Sequence, residues 1–360
     1  MPRRLFVSGT IARVAAGTAA ATDAGMVETK DLPTAQQIRG VVAPVVTPFR
    51  VDLSCDGERF IAHCQWLLSH NCGLAPFGTT SEANSMSAEE RMTLLDALVA
   101  AGINPLRMMP GTGCCSVTET VELTAHAVKH GCAGVLMLPP FYYKNVSEEG
   151  LYRHFSEVVQ RVGNARLRIY LYHIPPVAIV GITPNLVQRL LRAYPNAIAG
   201  MKDSSGDWNN TKIFLDAFSK SGFDVFVGSE SFLLANMRYG GAGTISATAN
   251  VNPAAIDELY AACVGESKFE LQRIAKANGQ AFNRDSKLEQ YQARLNVVRE
   301  VFSSTKFPSM IAALKQTIAI YRNDPEWARV RPPLVELTTE QAKLLAEELK
   351  RIGFAMPRVG

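Results

Sequence analysis

Between residues 40 and 264 the chain repeats one pattern eight times: a short apolar run, a turn, then a stretch of helical periodicity. The apolar runs fall at 40–49, 73–77, 106–110, 132–138, 167–172, 197–201, 224–227 and 243–247. Runs of this length, bounded by Gly, Pro, Thr and Ser, read as buried strands. The stretches between them carry helix-start signals. Ser87 stands three residues before Glu90 and Ser116 three before Glu119, the spacing of a capping box. Alternating strands and helices build a parallel sheet, because each parallel pairing needs a crossover. Eight such units predict an α/β fold of the closed (β/α)8 TIM-barrel type. An open doubly wound sheet is the runner-up. It normally carries a glycine-rich phosphate turn after its first strand, and Thr47-Pro48-Phe49 is not one. Beyond residue 265 the pattern changes to helices alone, at 269–282, 287–303, 308–320 and 339–352. The expected organisation is an N-terminal extension over 1–38, disordered or processed, then a barrel over 39–265 and a C-terminal helical appendage over 266–360.

Composition narrows the partners. The chain is 47% hydrophobic and 19% charged, enough apolar material for a large core. Its 37 Lys and Arg against 33 Asp and Glu leave a net charge of +4, which argues for neither nucleic acid nor an acidic partner. No apolar run reaches the length of a membrane span. Near the N-terminus Arg3, Arg4 and Arg13 face Asp23, within a segment rich in Ala, Thr and Gly. Arg-rich, acid-poor segments resemble transit peptides. Organellar import therefore stays open beside the favoured reading, a weakly ordered extension on a cytoplasmic protein, with Met26 an alternative start. Seven cysteines, an odd number without a C-x-x-C pair, fit a reducing compartment. His126 and His130 have the i, i+4 spacing of a metal pair. Ala127 stands where the metalloprotease pattern needs glutamate, so no metal is expected.

In a barrel of this kind the reactive side chains collect at the C-terminal ends of the strands. Three such ends carry candidates: Thr79-Thr80 after the second strand, Tyr172 after the fifth and Lys202 after the sixth. The last two strands are neighbours, so Tyr172 and Lys202 converge on one opening. An amine at the end of a buried strand can attack carbonyl carbon and form a Schiff base. A phenol and paired hydroxyls beside it can move protons as the carbinolamine collapses and a C–C bond is made or broken. Singly, each residue has an ordinary structural reading. Threonines after strands make turn hydrogen bonds, strand-end tyrosines pack with a wet hydroxyl, and a strand-end lysine is solvated. Their joint placement favours chemistry.

Five stretches, Gly78-Thr79-Thr80-Ser81-Glu82, Gly111-Thr112-Gly113, Tyr172-His173-Ile174-Pro175, Gly200-Met201-Lys202 and 243–250, follow in this order, and with them the chain resembles the dihydrodipicolinate synthase / N-acetylneuraminate lyase family of pyruvate-dependent class I aldolases. Gly78-Thr79-Thr80-Ser81-Glu82 stands for the family's G-T-T-G-E, Gly111-Thr112-Gly113 for its G-T-G, and Tyr172-His173-Ile174-Pro175 for its Y-[NH]-[IV]-P. Gly200-Met201-Lys202, followed by Asp203-Ser204, matches the lysine motif, and the stretch 243–250 matches G-x-I-S-x-T-A-N. The resemblance covers roughly residues 40–353. It implies a covalent imine on Lys202 with no cofactor, and a 2-oxo acid and an aldehyde as substrates. Residue by residue, it implies Lys202 as the Schiff-base lysine, Tyr172 as proton shuttle, Thr79 in the relay and Thr80 on the pyruvate carboxylate. Ile245 would line the pyruvate pocket. Ser81, where the family usually has glycine, and Gly228 join the substrate-binding set. Tyr142 matches the tyrosine that reaches a neighbouring subunit's site, with Tyr143 as the alternative register. A homo-oligomer, dimer or tetramer, follows.

The departures concern the second substrate. The synthase pattern places an arginine two residues after its Y-N-V-P proline, to hold the carboxylate of aspartate semialdehyde; here that place is Val177, followed by Ala178 and Ile179. Val177 is therefore a candidate specificity residue, poor for aspartate semialdehyde, unless another basic residue such as Lys144 takes over. Phe141, Ala88, Arg91 and Cys115 occupy the places of the synthase's lysine-feedback site, where tyrosine, two histidines and asparagine would be expected. The leading expectation is a Schiff-base aldolase or lyase acting on pyruvate or a related 2-oxo acid. The alternatives are dihydrodipicolinate synthase proper, a 2-keto-3-deoxy sugar acid aldolase or dehydratase, and, last, a catalytically silent 2-oxo acid sensor.

Overall fold

The computed structural model describes residues 37–265 and 284–357. The helix expected over 269–282 and nearly all of the N-terminal extension lie outside these residues. Seven parallel strands, β1 (Gly40–Ala43), β2 (Gly73–Leu74), β3 (Val135–Met137), β4 (Ile169–His173), β5 (Ile198–Asp203), β6 (Asp224–Val227) and β7 (Gly243–Ile245), run in the order β2-β1-β7-β6-β5-β4-β3. The ring closes between β2 and β3 through residues 108–112. Met108 bridges Leu74 and Gly111 bridges Leu136. Met109 N donates to Leu74 O at 2.8 Å, and Thr112 N to Leu136 O at 3.0 Å. The third expected strand is thus present but cut short. Pro105 opens a 3-10 turn, Pro105–Arg107, and Pro110 has no N–H to give a ladder. Prolines trim the other early strands in the same way: Pro44 follows β1, and Pro76 follows Ala75, the last residue paired with β1.

Helices follow the strands with the expected caps. The Ser87 side chain accepts from Glu90 N, and the Glu90 carboxylate returns to Ser87 N. One helix was not expected, a single turn at Pro175–Ala178 directly after β4. Beyond the barrel, helices Arg284–Phe302, Met310–Arg322 and Thr339–Arg351 lie close to the expected bounds. Barrel and C-terminal helices belong to one compact unit.

Strand alternation sorts the core into two layers. Ile169, Leu171 and Met201 point outward into the shell beneath the helices. Tyr170, Tyr172, Phe226 and Ile245 fill the barrel interior. The β4–β5 register shifts after Ile169, so that Tyr170 pairs with Gly200 and Tyr172 with Lys202. Only glycine fits at position 200: a Cβ there would lie 2.3 Å from Asp224 O and 2.9 Å from the Tyr170 ring. The Tyr170 ring therefore closes the barrel interior one layer below Tyr172 and Lys202. Lys202 lies within β5, not after it, because β6 keeps pairing through Lys202↔Phe226 and Asp203↔Val227.

Candidate active site

Tyr172 and Lys202 are register partners on adjacent strands, and both face the barrel mouth. Lys202 is 4% exposed, and its Nζ donates to the Tyr172 hydroxyl at 3.2 Å. The ammonium position also lies over the tyrosine ring, 4.3 Å from its centroid. The Tyr172 hydroxyl is 3.4 Å from Thr79 Oγ1, a long contact that extends the line from amine to phenol to hydroxyl. All three border a cavity of 240 Å³ together with Thr80, Val177 and Gly228. The chain turns tightly there: Ser81 N donates to Gly78 O and Glu82 N to Thr79 O. Among the described residues, the N–H groups of Thr79 and Thr80 have no acceptor. Unpaired N–H groups at a turn form an anion cradle.

Other expected residues fall elsewhere. Ser81 is fully buried and does not line the cavity; its Oγ accepts from Gly78 N and its carbonyl from Thr47 Oγ1. Ile245 is buried in the barrel interior beneath the cavity wall. Tyr142 and Tyr143 are 72% and 74% exposed and pack edge to face on each other, away from the cavity of their own protomer. Lys144 donates to the carbonyls of Phe141 and Ala178 and does not line the cavity. Arg91 is buried, with its guanidinium on Gly111 O and Cys114 Sγ. His126 and His130 both approach Asp96 Oδ1, at 2.8 and 2.6 Å, on the outer helices. Sequence spacing could not show that third neighbour.

Sequence reasoning missed the groups that hold the site. Glu82 closes the Gly78–Glu82 motif, and its place in the sequence does not reveal a partner. It takes the left-handed conformation, φ 59°, and its carboxylate binds Lys315 Nζ at 2.7 Å and Arg331 N at 2.8 Å. The loop carrying Thr79 and Thr80 is thus tied to the C-terminal helices. Asp203 accepts from Ser205 N, Asn210 Nδ2 and Thr211 Oγ1, which fixes the turn after Lys202. Burial holds His173 below the ordinary histidine range. Its Nδ1 accepts from Ile182 N, as a neutral ring can. Arg299, from the helix Arg284–Phe302, also lines the cavity. A larger groove of 590 Å³, lined by Arg59, Arg322 and Trp327, lies against the C-terminal segment; among the described residues it holds no lysine, cysteine or histidine.

Comparison with known proteins converges on one family. Residues 37–352 match the dihydrodipicolinate synthetase family. The chain is similar to an uncharacterized DapA-like lyase of Chloroflexus aurantiacus, 31% identical over 316 residues that cover 87% of this chain and 97% of the relative. It is 39% identical over 219 residues to a 4-hydroxy-tetrahydrodipicolinate synthase of Thermus thermophilus, covering 60% of this chain and 70% of that one. Dihydrodipicolinate synthase from Agrobacterium tumefaciens shares the fold with a TM-score of 0.74 at 31% identity, over 88% of this chain and 99% of its own. Among the described residues no helix is long and apolar enough to cross a membrane. The chain belongs to the dihydrodipicolinate synthetase family and is, like its members, a class I lyase that works through a lysine Schiff base.

Proposed function

We propose that the chain joins pyruvate, or a related 2-oxo acid, to an aldehyde, or cleaves the product, with Lys202 as nucleophile. The Lys202 amine attacks the keto carbon, and loss of water gives the imine. Loss of a proton from the neighbouring carbon gives an enamine. That carbon attacks the aldehyde carbon, and the new alkoxide takes a proton. Water then hydrolyses the imine and frees Lys202. Tyr172 moves protons at the carbinolamine and at the alkoxide, with Thr79 behind it. Thr80 and the free N–H groups of its turn receive the oxo acid's carboxylate, and Gly228, where a Cβ would strike the Ser204 side chain, lets the chain ends after Lys202 and after β6 approach closely at the cavity wall. The observation that carries this reading is the 3.2 Å contact between Lys202 and Tyr172 on the wall of the cavity. Borohydride with pyruvate tests it: a reduced pyruvyl group is expected on Lys202. Mass spectrometry that finds the adduct on another lysine, or none, sinks the mechanism.

Tyr142 acts only if subunits pack with their post-β3 loops together, and its exposure suits such a contact. We therefore assign a homo-oligomer, dimer or tetramer; the seven cysteines without a C-x-x-C pair support a cytoplasmic setting. A fully active monomer in light scattering would remove Tyr142 from the catalytic set. Synthase activity proper is the second reading, supported by the likeness to the Thermus thermophilus enzyme. Val177 argues against it, because an apolar side chain offers a substrate carboxylate no donor and no charge.

A further inference from the structure

Among the described residues, the cavity wall carries two basic side chains, Lys202 and Arg299. Lys202 is consumed in the imine, so Arg299 alone remains to meet a charged acceptor. Its position is set by topology. Arg299 reaches Glu230, which follows β6, and Ser246, which follows β7. Val177 follows β4, and β5 with Lys202 lies between β4 and β6. The cation therefore stands on the other side of Lys202 from the place where Val177 sits.

The guanidinium is held without being used up. Nη1 lies 3.4 Å from Glu230 Oε2 and 3.3 Å from Ser246 Oγ, and Nε donates to Ser303 Oγ at 3.1 Å. These are long for charge-assisted bonds, which run to about 2.7–2.9 Å. Glu230 already accepts from Ser246 Oγ and Thr248 Oγ1. Arg299 Nη2 makes no hydrogen bond among the described residues, and the side chain keeps 20% of its surface exposed. The acidic groups nearby are the reverse case. Asp203 has both oxygens occupied by Ser205, Asn210 and Thr211, and Glu230 has two hydroxyls. Among the described residues, a carboxylate entering the cavity finds an open donor, whereas an ammonium finds no open acceptor acid.

We propose that Arg299 binds a terminal carboxylate of the aldehyde acceptor, so that the acceptor class is a carboxylated aldehyde without an ammonium group. This rests on the imine reading above. The test compares succinic semialdehyde, aspartate semialdehyde and butyraldehyde as acceptors with pyruvate, in wild type, Arg299→Gln and Arg299→Lys. Wild type is expected to favour succinic semialdehyde over butyraldehyde by about 10–100-fold in kcat/KM, the range of one hydrogen bond to a charged group. Arg299→Gln is expected to lose that preference through KM, and Arg299→Lys to recover part of it. Borohydride trapping of pyruvate on Lys202 is expected to be unchanged in both variants. In wild type, succinate should compete with the acceptor while butyramide should not, which needs no variant to fold. A wild type without preference for the carboxylate, equal inhibition by succinate and butyramide, or an equal loss for all three acceptors in Arg299→Gln overturns the proposal and leaves the imine reading standing. Loss of trapping in Arg299→Gln alone marks Arg299 as a prop of the fold and also overturns it. Absence of trapping in wild type fails the imine reading instead, and this proposal with it.

Discussion

Two lysines are buried at the barrel mouth, and their surroundings differ in kind. Lys315 is 0% exposed. Its Nζ has a carboxylate, Glu82, at 2.7 Å, the Thr47 carbonyl at 2.8 Å, and the face of Phe49 with the ring centroid 4.4 Å away. Lys202 is nearly as buried, yet among the described residues its one hydrogen-bond acceptor is a phenol. A buried ammonium needs an opposite charge and full hydrogen bonding. Lys315 has both and forms a structural clamp. Lys202 has neither and faces an open cavity, which is the setting of a nucleophile. Burial alone does not separate the two roles; the partner set does.

The largest expected contrast comes from removing each amine. Lys202→Ala should drop turnover below detection while leaving the denaturant midpoint near that of wild type. Lys315→Met should cost about 3–5 kcal/mol of stability by stranding a buried carboxylate, with only a modest loss of activity per folded molecule as the Thr79–Thr80 loop is loosened. Adding Glu82→Leu should restore much of that loss. Activity loss without stability loss in Lys315→Met would collapse the distinction between the two lysines. Next in size is the phenol. Tyr172→Phe keeps the ring and removes the acceptor of Lys202, and turnover should fall by ~10²–10⁴-fold; near-wild-type turnover would make Tyr172 a packing residue.

The clamp should also show itself in acid. Arg331, whose N–H binds Glu82, places its guanidinium on Glu90 at 2.5 Å and holds that carboxylate at about 2, below its ordinary 4.5. A depressed carboxylate stabilises the fold above its unfolded pKa and stops doing so as pH falls through the folded one. Stability is therefore expected to decline as pH drops from about 4.5 through about 2, and Glu90→Gln should flatten that part of the profile in acid denaturation. The smallest effect concerns the place where the mouth lacks a cation. Val177 is 60% exposed, so Val177→Arg is expected to raise kcat/KM for aspartate semialdehyde by only about 10-fold, or ~1.4 kcal/mol. Efficient condensation of aspartate semialdehyde by wild type would restore the synthase reading.

Most of the barrel was legible because its signals are local. Apolar runs, caps such as Ser87 with Glu90, and turns rich in glycine and threonine depend on residues a few positions apart. The bounds failed where proline intervened, at Pro105 and Pro110, since a missing N–H shortens a strand without changing its apolar pattern. Lys202, Tyr172, Thr79 and Thr80 could be singled out because each stands at the end of a readable strand. Ser81 and Ile245 were named from motif position, and position in a motif does not say which way a side chain points. The turn at Gly78 directs Ser81 into the protein, and Ile245 lies on the interior face of β7 with Tyr170 and Phe226 without bordering the cavity.

By itself the amino-acid sequence determined the eight-unit alternation, the helical C-terminal segment and the strand ends that carry an amine, a phenol and two hydroxyls. Tertiary structure alone decided three other things. It set Tyr172 level with Lys202 through the register shift beside Ala199. It gave Lys315 its partner Glu82 across 233 residues. It brought Arg299 from a C-terminal helix to the cavity wall. The physical reason is range. Periodicity and capping are written in near neighbours, whereas a salt bridge or a cavity wall depends on which elements pack together, and no local pattern encodes the approach of two side chains hundreds of residues apart.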